Sequence, residues 1–300
     1  MKRFSLAVTV IAILALLLTA CGQTSQNASQ AATAASGEGT AQAAGTADEF
    51  EGSAAPAATT DTSAAPQVIK VGTMGTYEPF SYVDASGKLT GYDIEVLRLV
   101  EKTDPSLKFE FVSGPWDSLF PGLDSDKFQL LANQITSNPD RKAKYLLSGN
   151  SYALCVSQLI VRKGRTDIKS LSDLKGKKIG TTVGDSFTRI LEDWNKQNGN
   201  ILNIVYYEED ITTVLQDIAN GRIDATLNDP IMAASKAKAQ NLDVEPVGER
   251  IAADPTYFIA KKDEAGQKLM EKIDAALTKL KDDGSLSKLS IDWFGVDYSK

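Results

Sequence analysis

The stretch Lys177-Lys-Ile-Gly-Thr-Thr-Val-Gly-Asp-Ser-Phe-Thr-Arg-Ile-Leu-Glu-Asp-Trp-Asn-Lys196 carries both rhythms from which the fold is read. Lys178–Thr181 is a short run of strand character, and Phe187–Lys196 places its apolar residues at helical spacing. Working outward, the same alternation recurs. Strands are expected at Val68–Thr73, Leu107–Val112, Gln129–Ala132, Ile204–Tyr207, Ala225–Asn228 and Tyr257–Ala260. Helices are expected at Asp93–Glu101, Trp116–Leu123, Ile211–Ala219 and Pro230–Ala239. Near the end Leu269, Ile273, Ala276, Leu277 and Leu280 share one helical face, with Gly284 as the stop and Ser285 as the cap of a following short helix. Alternation of this kind predicts an α/β fold of parallel sheets covered by helices. At about 100 residues per lobe, the chain from residue 67 onward is long enough for two. A faint echo, Ile69-Lys-Val-Gly-Thr73 against Lys177-Lys-Ile-Gly-Thr181, would open each lobe with the same strand.

The composition narrows the function. The 300 residues include 39 acidic and 32 basic side chains, two cysteines and no histidine. Nucleic acid is therefore not an expected partner. Catalytic sets that use imidazole, His-ligated metal sites and four-thiolate metal sites cannot be built. No metal, cofactor or catalytic residue is expected.

The N-terminus reads as an address. Lys2 and Arg3 precede the apolar run Leu6–Leu18, the pattern of a secretory signal, too short to span a membrane as a helix. The run ends Leu18-Thr19-Ala20-Cys21, which resembles a bacterial lipobox, so Cys21 is the expected lipidation site. Two acyl chains there would anchor the protein stably. Residues 22–66 are mostly Ala, Gly, Ser and Thr, with Phe50 the single large apolar side chain. Such a segment cannot offset its chain entropy by burial and is expected to act as a disordered linker. The expected layout is a lipoprotein signal peptide (1–20), the lipidated cysteine and linker (21–66), lobe 1 (67–154 plus 257–300) and lobe 2 (155–256).

An ordered series of motifs resembles one family. Gly72-Thr-Met-Gly-Thr-Tyr-Glu-Pro-Phe80 is followed by Gly87-Lys-Leu-Thr-Gly-Tyr-Asp93, Trp116-Asp-Ser-Leu-Phe-Pro-Gly-Leu123 and Ala132-Asn-Gln-Ile-Thr136. Arg141, Gly221-Arg-Ile-Asp-Ala225, Asp283-Gly284 and Trp293-Phe294-Gly295 complete it. The series is similar to the polar-amino-acid solute-binding proteins of ABC importers, and Leu131–Tyr145 is most like the cystine-binding branch. The resemblance implies a two-lobed periplasmic-binding-protein-like fold of type II. Two crossings, near Ala153–Gln158 and Pro255–Phe258, would join the lobes, with the ligand held between them at the carboxyl ends of the strands.

The resemblance also assigns roles. Arg141 matches the arginine that forks onto a ligand carboxylate; read locally, it is a solvated charge beside Lys142 and Lys144. Asp229 matches the lobe 2 aspartate that takes the ammonium, and is equally suited to capping the helix at Pro230. Thr136 matches a hydroxyl to the ammonium, with Asn133 and Gln134 on the same loop. Gly184, Asp185 and Ser186 form the loop that clamps the carboxylate at a helix N-terminus, where Asp185 can also be a plain N-cap. Tyr77 and Trp116 match aromatic walls. Met74 stands where relatives that bind cationic amino acids often carry an acid, which disfavours a basic ligand. Where the family has Phe-Ser-x-Pro-Tyr, the chain has Leu147-Ser-Gly-Asn-Ser-Tyr152 and lacks the hinge proline. Cys155, in the apolar run Tyr152–Val156, reads as an inert buried thiol, or else as a group able to exchange with a disulfide ligand.

The expected protein is a lipid-anchored extracytoplasmic receptor, a monomer, for cystine or another polar uncharged amino acid. It would close its lobes on the ligand and deliver it to an ABC permease. An extracytoplasmic dehydratase on the same scaffold and a sensory ligand-binding subunit are the alternatives.

Overall fold

The computed structural model describes residues 65–208 and 210–300; Cys21, the signal sequence and most of the stretch that follows lie outside the described residues. Lobe 1 opens with β1 (Gln67–Thr73) and a small antiparallel sheet of β2 (Thr76–Tyr77), β3 (Ser81–Val83) and β4 (Leu89–Thr90). Helix α1 (Tyr92–Thr103), β5 (Leu107–Ser113), α2 (Trp116–Asp124), β6 (Leu130–Leu131), α3 (Pro139–Lys144) and β7 (Tyr145–Leu147) follow. The chain crosses into lobe 2 along β8 (Ala153–Arg162) and continues through a 3-10 turn (Leu171–Leu174), β9 (Lys178–Thr182), α4 (Ser186–Gln197) and β10 (Asn203–Tyr207). Next come α5 (Ile211–Ala219), β11 (Ala225–Asn228), α6 (Pro230–Gln240) and the long β12 (Val244–Thr256), which leads back to lobe 1. There β13 (Ile259–Lys261), α7 (Glu264–Asp282) and α8 (Ser285–Phe294) end the fold.

Two five-stranded sheets result, in the orders β5-β1-β6-β13-β7 and β10-β9-β11-β8-β12. In each, four strands run one way and the fourth in order, β13 or β8, runs against them. The expected parallel sheets thus each contain one reversed strand, and it is the strand by which the chain enters that sheet after a crossing. The crossings themselves form one antiparallel ribbon, with Thr256 opposite Ala153 and Ala252 opposite Ser157.

Side-chain alternation explains why helices lie on both faces. On β8, Leu159 and Val161 join Phe187 and Leu191 of α4 in one cluster. Ile160, between them, joins Val214 and Leu215 of α5 and Met232 of α6 in another. Lobe 1 repeats the plan: Ile69 and Val71 of β1 pack toward α1 and α7, whereas Leu119 and Leu123 of α2 pack with Phe128 and Leu131. The echoed glycines have a packing reason. A Cβ on Gly72 would sit 2.6 Å from the Phe128 ring, and one on Gly180 2.6 Å from Ile223 Cδ1.

All the expected strands and helices are present, with ends shifted by no more than two residues. At the last turn Gly284, at φ 77°, both ends α7 and stands at the N-cap of α8, so Ser285 is the first helical residue and not the cap.

Candidate ligand-binding cleft

The carboxyl ends of the parallel strands of both sheets face one another across a cleft of about 510 Å³, open mouth included. Lobe 1 supplies Met74, Tyr77, Trp116, Asn133, Gln134, Thr136 and Arg141 to its wall. Lobe 2 supplies Cys155, Thr182, Asp185, Ser186, Phe187, Ile211 and Asn228.

Arg141 is built from its helix outward. Asn138 caps α3, its Oδ1 accepting the Arg141 backbone N–H at 2.7 Å, and Pro139 occupies the first turn where no N–H is needed. The guanidinium is buried, with 7% of the residue exposed, and lies 5.6 Å from the Trp116 ring centre and 5.3 Å from that of Phe120. One terminal nitrogen donates to the Thr136 carbonyl at 2.9 Å and the other to the Gly184 carbonyl of lobe 2 at 3.3 Å. Burial pulls its pKa down to about 10, against the pull of the Asp185 carboxylate, so it remains a cation at neutral pH.

The loop from 133 to 136 is held from behind. Asn133 Oδ1 accepts from the Met74 backbone N–H at 2.9 Å, which commits that amide oxygen to the end of β1. Gln134 has a left-handed backbone, φ 49°, and its N–H donates to buried Asp93 Oδ2 at 2.7 Å. Its side chain crosses the cleft, Nε2 donating to Asp229 Oδ2 at 3.2 Å. Its Oε1 is buried with no protein partner, as is Thr182 Oγ1 opposite. Tyr77 also spans the cleft, its hydroxyl donating to Asn228 Oδ1 at 2.9 Å.

On lobe 2 the helices point their N-termini at the cleft. Asp185 caps α4, accepting from Thr188 N at 2.7 Å, and its carboxyl is pushed up to about 6 by burial. Asp229 caps α6, Oδ1 accepting from Ile231 N at 2.8 Å and Oδ2 from Val156 N at 3.0 Å; burial pushes it, too, up to about 6.

Eight of the expected site residues thus line one cleft: Tyr77, Trp116, Asn133, Gln134, Thr136, Arg141, Asp185 and Ser186. Two stand behind its wall. Asp229 is fully buried, capping its helix and bonded to Gln134, while the lining position belongs to Asn228. Gly184, at φ 80°, meets Arg141 through its carbonyl, where an N–H clamp was expected. Sequence reasoning missed Asn228, Thr182 and Asp93. The first two lie at the ends of β11 and β9, where strand ends facing a cleft are the available signal. Asp93 reads as an ordinary first-turn acid of α1. Cys155 is a buried free thiol in the wall, and burial raises its pKa well above the ordinary value. A cation on one side and two carboxylates on the other suit a zwitterion.

The profile of the bacterial extracellular solute-binding proteins, family 3, matches residues 69–296. The chain belongs to this family. The solute-binding protein is 39% identical to the L-cystine-binding protein TcyA of Bacillus subtilis over 78% of its own length and 83% of the relative's. Among solved structures, a putative L-cystine ABC transporter from Listeria monocytogenes is 33% identical and superposes with a TM-score of 0.70, covering 78% of this chain and 98% of that one. An ancestral arginine-binding protein bound to arginine is 31% identical with a TM-score of 0.69, over 77% of this chain and 100% of that one. The family's members are extracytoplasmic receptors, and the type II two-lobed fold is common to these structures.

Proposed function

We propose that this solute-binding protein captures L-cystine, or a closely similar polar uncharged amino acid, and presents it to an ABC permease. The observation that carries the reading is the buried Arg141 guanidinium facing the acid-capped helices of lobe 2 across one cleft. Arg141 takes the α-carboxylate through its fork. The Gln134 amide donates to Asp229 where a ligand ammonium would, so an arriving ammonium displaces it and is received by Asp229, with Thr136 and the free Gln134 oxygen as further acceptors. The Gly184–Ser186 loop approaches the carboxylate from lobe 2. Met74 offers a thioether and no counter-charge, which sets this cleft apart from one built for arginine.

The mechanism is lobe closure about the β8–β12 ribbon: the two walls share a ligand only when they meet, so the ligand shifts the hinge equilibrium. We further propose that the protein acts as a monomer without chemical conversion of its ligand and is anchored through acylated Cys21. The cystine-binding relatives support the ligand, and the lipobox supports the anchor.

Thermal unfolding against a panel of amino acids and cystine tests the reading. Ligand at about 100 times its Kd adds about 2.7 kcal/mol. At roughly 2–4 °C per kcal/mol, cystine should raise the Tm by about 5–10 °C. A shift with another amino acid and none with cystine discards the ligand, and no shift with any discards the amino-acid receptor.

A further inference from the structure

Thr76 and Tyr77 are consecutive in lobe 1, and each meets a different residue of lobe 2. Tyr77 reaches Asn228 inside the cleft. Its neighbour Thr76 engages a cluster that lies outside it. Asp210 caps α5, its Oδ1 accepting from Thr212 N at 2.7 Å and from the Thr212 hydroxyl, while its Oδ2 accepts the Thr76 hydroxyl. Lys236 of α6 is buried, donates to Thr212 Oγ1 at 2.7 Å and stands 3.7 Å from Asp210 Oδ1. The Glu78 carboxylate of lobe 1 acts on the same ammonium at longer range.

Asp210, Thr212 and Lys236 all belong to lobe 2, so their mutual bonds need nothing from lobe 1. Only the Thr76 hydroxyl and the Glu78 charge depend on the lobes being together. None of these residues lines the ligand cleft. We propose that Thr76 closes onto the preformed Asp210–Lys236 pair as a clasp that holds the lobes together independently of ligand and sets how long the ligand stays. The clasp rests on the lobe-closure reading above. A contact present in the closed arrangement and lost in the open one biases that equilibrium by its full free energy, whatever occupies the cleft. Once a ligand is in place the clasp must open before the ligand can leave, so its loss acts mainly on dissociation.

The test uses the full chain carrying Thr76→Val, a swap at an exposed strand position that removes the hydroxyl and keeps the shape. Cystine dissociation, followed by stopped-flow fluorescence, should be about 3- to 10-fold faster, the range expected for a partly exposed hydrogen bond to a carboxylate. Association should stay within about twofold. Thr76→Ser, which restores the hydroxyl, should return dissociation to the wild-type rate. Without ligand, the distance between labels on α7 and α4 should shift toward the open form in Thr76→Val. Unchanged dissociation in Thr76→Val, or Thr76→Ser behaving like Thr76→Val, overturns the clasp. Should cystine fail to bind the wild type, the ligand reading falls, and the ligand-free label distances then decide: identical distributions in wild type and Thr76→Val overturn the clasp as well.

Discussion

The two lobes share one sheet plan but start their helices differently. The first three helices of lobe 1 begin on Gly91, Pro115 and Asn138, whereas α4, α5 and α6 of lobe 2 begin on Asp185, Asp210 and Asp229. In a sheet of parallel strands, helix N-termini gather at the carboxyl edge, so three ordinary capping choices bring three carboxylates to one face. Each then finds something on lobe 1. Asp229 meets Gln134, Asp210 meets Thr76, and Asp185 lies within the electrostatic reach of Arg141. Lobe 1 answers with aromatic rings and one buried cation. The same topology thus yields a cationic wall and an anionic wall, and the asymmetry comes from cap residues rather than from the fold.

The sharpest way to break this comparison is to remove the cation. Arg141→Ala should weaken cystine binding by about 2–5 kcal/mol, because a buried carboxylate loses its partner. Calorimetry that finds the affinity unchanged removes Arg141 from the ligand. Asp229→Asn probes the opposite wall. Asn keeps the cap oxygen but turns its NH2 toward the Val156 N–H, so stability should fall by about 1–3 kcal/mol. Binding should fall by about 1.5–3 kcal/mol, the worth of a hydrogen bond to a charged group. A loss of stability with the affinity unchanged would make Asp229 a structural cap alone.

The shared plan can be tested at the echoed glycines. Gly72→Ala and Gly180→Ala each force a methyl against a neighbour 2.6 Å away, and each should cost about 1–3 kcal/mol in urea unfolding. A cost at one position and none at the other would show that the lobes do not use the motif alike.

A pH series separates lobe 1's own buried acid from the helix-capping acids of lobe 2. Burial pushes Asp93 from 3.8 up to about 7, so the native state binds this proton more tightly than the unfolded chain does. Its contribution to stability is complete below pH 3.8 and is lost as pH rises through about 7. The slope between these limits approaches ~1.4 kcal/mol per pH unit, and Asp93→Asn should remove it from unfolding curves taken across that range. An unaltered slope would place the proton elsewhere.

Much of this was legible because period and punctuation are local. The Ile211–Ala219 helix and the Ala225–Asn228 strand agree end to end with expectation. The element carrying Arg141 was not foreseen as a helix, although Asn138-Pro139 is a usable cap and first-turn signature. The long β12 was missed because Pro246, Gly248 and Pro255 punctuate it; its strand character comes from pairing with β8, across a register shift between Val247 and Ala252. The site divides in the same way. Eight of the ten residues that a motif matched line the cleft, while Asn228 and Thr182 owe their places to strand ends that only the assembled sheet defines. Asp93 acts through the backbone of Gln134, 41 positions away, a relation no local pattern displays.

Cys155 gives the cleft a chemical temper. Its thiol sits in the wall with burial and the charges of Asp229, Asp254 and Asp185 all opposing ionisation. Only a thiolate attacks a disulfide, so the fraction able to react at neutral pH lies far below that of a free cysteine. A disulfide held against this wall meets sulfur that is close yet unreactive, and the cargo of the proposed receptor would leave in the oxidation state in which it arrived.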